Sequence, residues 1–200
     1  MSGSYSALAK FVNSTSYIFA WVSRGAVDLG ENTWMGDGYT SAQNRTNGRR
    51  VAIALLSDKQ TKVGAQASST VGGVGDSQVN WVTPSVGADR SNAHVAVFDD
   101  NYALVTWEEI ASPNCNFIAM GCSGTFTGTY YQLVDKTGAL IGAPLKSMNT
   151  YVAGDMATTP DGRICWPYVN MAWSLNDPGY AGAEGKTTAK KMSFACMSLI

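Results

Sequence analysis

Residues 94–145 constrain the fold more than any other part of the chain. They contain AHVAVFDDNYALVTWEE, a longer connection, and then GTYYQLVDKTGALIGAPLK, so that each half is two short β-rich runs joined by a tight polar turn. The turns are Asp99-Asp100-Asn101 and Asp135-Lys136-Thr137-Gly138, residue types that tolerate turn conformations and bond their own backbone. Four antiparallel strands in succession make one up-and-down sheet. Two imperfect copies flank this unit. Tyr17-Ile-Phe-Ala-Trp21, Ala103-Leu-Val-Thr-Trp107 and Arg163-Ile-Cys-Trp166 occupy equivalent places, each after a short strand and a turn. Arg50-Val-Ala-Ile-Ala-Leu-Leu56 and residues 191–199 supply the third strand in the first and last copies, and the last copy lacks a fourth.

A repeated four-stranded sheet with a recurring Trp and glycine-containing turns points to an all-β chain of β-propeller blades, about three of them. The expected layout is one domain over residues 1–200, with blade 1 at about 6–66, a linker at 67–92, blade 2 at about 93–147 and blade 3 at about 151–200. Runs such as VAIALL and YIFAWV are nearly continuous because stacked sheets are covered on both faces. The three Trp residues are expected to wedge between sheets rather than meet a ligand.

The run DNYALVTWEE, followed by GTYYQLVDKTGALIGAPLKSMNTYVAGD, resembles the blade repeat of secreted bacterial and fungal propellers. The resemblance covers most of residues 93–166. Residues 7–66 follow it loosely and lack the glycine after the second-half Asp. It specifies a blade and no chemistry. Several such propellers, fungal fruit-body lectins among them, bind glycans, so a carbohydrate ligand and an extracellular setting are expectations by analogy.

Composition narrows the field. A net charge of −1 with only 14 Lys and Arg gives no basic footprint for nucleic acid. No apolar run approaches the roughly twenty residues of a membrane span. One His and no C-x-x-C pair leave a zinc site without ligands, and Asp28, Glu31 and Asp37 do not have EF-hand spacing, so neither metal nor cofactor is expected. Cys115 and Cys122, eight positions of one loop, are equally compatible with a disulfide and with free thiols, whereas Cys165 and Cys196 read as small buried hydrophobes.

Three blades leave two raw sheet faces, so the partners expected besides a glycan are a second copy of the chain or a further propeller portion that closes the ring. Tight turns occupy one end of such a stack. At the other end the connections 23–48, 66–92, 109–128 and 170–189 are far longer than hairpins need, and long loops on a rigid scaffold are where binding resides. They carry the candidate ligand-binding residues: Arg24, Trp34, Asp37 and Tyr39 in the first, Asp89 and Arg90 in the second, Glu109 at the mouth of the third, and Trp173, Asp177 and Tyr180 in the last. An aromatic platform beside carboxylates suits a sugar, whose apolar ring face stacks while its hydroxyls bond to acids and amides. No catalytic residue is assigned: Glu108 and Glu109 are consecutive on a strand and point apart, and His94 has no nucleophile at motif spacing. The alternatives are a glycoside-processing enzyme, which needs two convergent carboxyls, and a protein-interaction scaffold, which needs a broad apolar patch.

Overall fold

The structure, a computed structural model, describes residues 6–31, 40–44, 46–58, 80–117, 121–152, 154–169 and 191–199. Among them there is no helix, and thirteen strands form antiparallel sheets. The first sheet has the order β1 (Ser6–Lys10), β2 (Tyr17–Ser23), β5 (Arg50–Leu56), β6 (Asn80–Trp81). A two-stranded ribbon, β3 (Ala26–Glu31) with β4 (Thr40–Asn44), stands between β2 and β5 in the chain. The middle sheet runs β7 (Ala88–Val97), β8 (Tyr102–Phe117), β9 (Gly121–Asp135), β10 (Leu140–Ser147). The third is β11 (Ala157–Thr158), β12 (Ile164–Val169), β13 (Met192–Met197).

Alternation along each strand decides how the sheets stack. In β2, Ile18, Ala20 and Val22 are buried while Phe19 and Trp21 are half-buried on the opposite face. The buried set meets Val95, Val97, Val105, Trp107 and Val134 of the middle sheet in one core. The other face of the middle sheet, through Ala96, Leu104 and Tyr131, forms a second core with Ile164 and Trp166. The middle sheet is therefore covered on both sides, which is why its strands read as unbroken apolar runs. Trp107 and Trp166 each face the sheet that precedes them in the chain, and Tyr131 and Trp166 stack with ring centroids 5.6 Å apart. Trp21 occupies the equivalent register in the first sheet but points away from the stack, against Phe19.

The turns have the expected chemistry. Asp99 Oδ1 accepts from the amides of Asn101 and Tyr102, and Asp135 Oδ1 from those of Thr137 and Ala139. Burial works against ionisation of Asp135, but the Thr137 hydroxyl and the turn amides hold its carboxyl below the usual range. Gly138 takes φ 89°, the left-handed conformation that glycine adopts without strain.

Four expectations are corrected. The connection 109–128 is not a loop: β8 and β9 run through it as a twisted arm, interrupted at Glu109/Ile110 and Ala111/Asn114 by register shifts and by Ser112 at φ 48°. The segment 67–92 is not all linker, because Asn80–Trp81 is the fourth strand of the first sheet and β7 begins at Ala88. The long connection into β6 also leaves from the tight-turn end, where Leu56 pairs with Tyr17 and Thr15 bonds the Ser57 carbonyl. Finally, Cys165 and Cys196 face each other across β12 and β13 and are disulfide-bonded, as are Cys115 and Cys122 across the arm. No cysteine is free.

Candidate functional site

In each sheet the second and third strands are joined by a long excursion of the chain, and the strand ends that carry the three excursions lie at the same end of the stack, opposite the end from which the connection into β6 leaves. The β3–β4 ribbon and the distal halves of β8 and β9 give two of them the form of β-arms. Where these arms meet the sheets lies a buried polar floor. Four of the ten candidate residues, Arg24, Asp89, Arg90 and Glu109, are brought together there, the outermost two lying 85 positions apart in the chain. Trp34, Asp37, Tyr39, Trp173, Asp177 and Tyr180 lie outside the described residues.

Asp89, 1% exposed, is gripped by Arg49: its Oδ1 accepts from the Arg49 main-chain amide at 2.7 Å and from Nε at 3.0 Å, and its Oδ2 from Nη2 at 2.6 Å. This bidentate pair joins the third strand of the first sheet to the first strand of the middle one. Close approach of the two backbones is set by Gly48, where a Cβ would come 2.3 Å from the Ala88 carbonyl oxygen. Arg24 lies alongside, its Nη2 3.6 Å from Cys122 Sγ, and the Thr46 hydroxyl donates to its carbonyl. Burial, opposed by Asp89 and reinforced by Arg49, pulls Arg24 below the ordinary guanidinium pKa. The Cys115–Cys122 disulfide thus seats the second arm on the root of the first. Although Asp89 and the two sulfurs cluster closely, the sulfurs are bonded to each other and the carboxylate to Arg49, so the group is a clamp and not a set of metal ligands.

Arg90 points the other way. Its Nε donates to Glu109 Oε2 at 2.9 Å, and its Nη1 and Nη2 to the carbonyl and hydroxyl of Ser85. Thr127 and Tyr130 continue this chain from Glu109. Glu108 is buried on the opposite face and accepts from Asn92 Nδ2 at 3.0 Å, so the two neighbouring glutamates diverge as alternation requires.

A second feature was not singled out in the sequence. The edge strands β1, β7 and β11 border a cavity of about 560 Å³ whose walls include Leu8, His94, Asp155, Met156 and Thr158. Asn92, at φ 53° in a bulge of β7, bonds Glu108 and the Val152 carbonyl through Nδ2, so its Oδ1 faces His94 Nε2 at 2.9 Å. With both amide hydrogens committed, His94 must donate from Nε2. Burial lowers the His94 pKa, with Asp155 acting in the opposite sense. The signals for these residues were an Arg at the entry to an apolar strand, for Arg49, and an Asn inside one, for Asn92. Neither identifies its partner. No family model matches the chain, and neither does any curated protein or solved structure.

Proposed function

We propose that the chain is a non-catalytic, carbohydrate-binding protein of propeller type whose ligand is taken by the arms at one end of the sheet stack. The observation that carries this is that the strand ends bearing all three second-to-third strand connections lie at one end of the stack, where Arg49–Asp89 and Arg90–Glu109 lock the roots of the first two. A floor of this kind fixes the arm roots without spending their side chains on ligand. The same connections carry Trp34, Tyr39, Trp173 and Tyr180 with Asp37 and Asp177, the stacking and accepting groups a sugar requires. Arg24, Asp89, Arg90 and Glu109 then act as supports. Four paired cysteines accord with an oxidising, extracellular setting.

In this reading the ring is completed by a second copy. Phe194 and Met192, 75% and 66% exposed on the free face of the third sheet, would stack on Phe19 and Leu8 of the first sheet of that copy. Repeated weak sites around one ring gain avidity from multivalent glycans. A glycan array probed with the wild-type chain, Trp34→Ala and Trp173→Ala is the test: binding that fades in both variants is the expected result, and a blank array from folded protein would remove the proposal.

A further inference from the structure

The cavity of about 560 Å³ bordered by β1, β7 and β11 plays no part in holding the arms. It lies along residues 94–97 at the end of β7, whereas Asp89 and Arg90, which lock the arm roots, stand at its start. Residues 6–9 and 94–97 line it as consecutive runs, so it follows the flanks of β1 and β7 rather than one face of a sheet. The Thr158 hydroxyl donates to the Val97 carbonyl and fixes β11 as the third wall. The volume is that of a small-molecule site.

The walls select the charge of an occupant. No Lys or Arg lines the cavity, and Asp155 is the one charged side chain among the lining residues. Asp155 is exposed and forms no ion pair or hydrogen bond among the described residues. His94 adds a second acceptor. Asn92 commits both amide hydrogens to Glu108 and Val152 and takes the Nε2 proton of His94 on Oδ1, so the ring is held in one tautomer. Nδ1 is then a lone pair with no hydrogen-bond partner among the described residues, on a ring that walls the cavity. Burial lowers the His94 pKa and so keeps that lone pair unprotonated near neutral pH. Main-chain groups along the flanks are neutral and leave the balance of charge negative. Leu8 and Met156 supply apolar surface beside the two acceptors.

We propose that this cavity binds a small organic ammonium ion, its N–H groups donating to His94 Nδ1 and to the Asp155 carboxylate, its hydrocarbon part lying on Leu8 and Met156. An anion would meet Asp155 with no cation to offset it. A divalent metal ion fits less well, because an imidazole and one carboxylate fall short of the three or four protein ligands such a site uses. The proposal is independent of glycan binding at the arms, so a blank glycan array leaves it standing.

The chain has a single His, so its ring nitrogens give unambiguous magnetic resonances. The test follows them in the whole isotope-labelled chain near neutral pH during titration with n-butylammonium, n-butanol and butyrate, which share a hydrocarbon part and differ in charge. Only n-butylammonium is expected to bind, saturating in the millimolar range and moving Nδ1 upfield, as a lone pair does when it accepts a hydrogen bond. Asp155→Asn, a change at an exposed position, should weaken that binding by roughly fivefold. Four results would each overturn the proposal. Nδ1 fails to move with n-butylammonium, or moves equally with n-butanol; Asp155→Asn leaves the affinity unchanged; or Nδ1 already resonates in its hydrogen-bonded position in the free chain, which would mean that the chain itself fills the cavity. The fourth is a response of Nδ1 to micromolar zinc with none to n-butylammonium, which would make the cavity a metal site instead.

Discussion

The two seams of the stack are built from the same repeat and are not equally strong. Between the first and middle sheets fifteen buried apolar residues pack together, Phe11 closes the tight-turn end, and the Arg49–Asp89 pair bolts the other. Between the middle and third sheets there are seven among the described residues, supported at the margin by half-buried Tyr168 and Met197 and flanked by a cavity of about 340 Å³ that Tyr131, Leu145 and Met197 line. Apolar area removed from water is the main source of cohesion, so the first seam sets global stability and the second is where the structure opens first. A repeat in sequence does not entail a repeat in energy: among the described residues the third sheet has three strands where the other two have four.

The contrast breaks most directly at the equivalent tryptophans. Trp107→Ala and Trp166→Ala should each cost about 3–5 kcal/mol locally. Thermal unfolding of Trp107→Ala is expected to shift as a whole, whereas Trp166→Ala should speed hydrogen exchange in β12 and β13 while β2 and β5 stay protected. Identical exchange patterns in the two variants would erase the distinction between seams. Next in size is Arg49→Ala, which leaves Asp89 buried without its partner and should cost about 3–5 kcal/mol. Denaturant titration of Arg49→Met with Asp89→Leu should recover much of that loss, and failure to do so would show that the bolt matters as an ion pair. Removing the Cys165–Cys196 bond, which spans 31 positions, should cost about 3–4 kcal/mol in the loop-entropy account, against about 2 for Cys115–Cys122, which spans 7. Serine variants compared by calorimetry check the order, and a larger effect from the shorter loop would reverse it. The smallest effect belongs to His94. Its folded pKa lies below the unfolded value of 6.5, so the unfolded chain binds more protons there and stability falls as pH drops from about 6.5 through the folded value. In His94→Gln that part of the acid slope should vanish from pH-dependent unfolding curves.

Much of the fold was legible because it is local. Asp99, Asp135 and Asp161 each mark a turn with their own side chains; Arg163 and Thr159 hold the Asp161 carboxyl at about 2. Alternation in β2 and the turn at Gly138 likewise follow from neighbours in sequence. What escaped depends on register. The β8–β9 arm hid because Pro113, Ser112 at positive φ and three register shifts break its alternation, and β6 hid because two residues have no period. Cys165 and Cys196 looked like separate core residues, since only the pairing of β12 with β13 sets them opposite each other. At the candidate site, Arg24, Asp89, Arg90 and Glu109 were found as residues, yet their engagement by Arg49, Ser85 and Cys122 is a product of sheet packing. Trp34 and Trp173 lie outside the described residues, and the glycan array tests the part proposed for them.

The arm formed by β8 and β9 leaves the middle sheet and returns to it between strands that are already hydrogen-bonded neighbours, with the Cys115–Cys122 bond partway along. Residues inserted in equal number on its two sides beyond that bond would lengthen the reach of the arm and leave every pairing below Glu109 unchanged. The molecule thereby separates what must stay fixed from what is free to vary: the length and sequence of the arm tip can diverge without renegotiating the core.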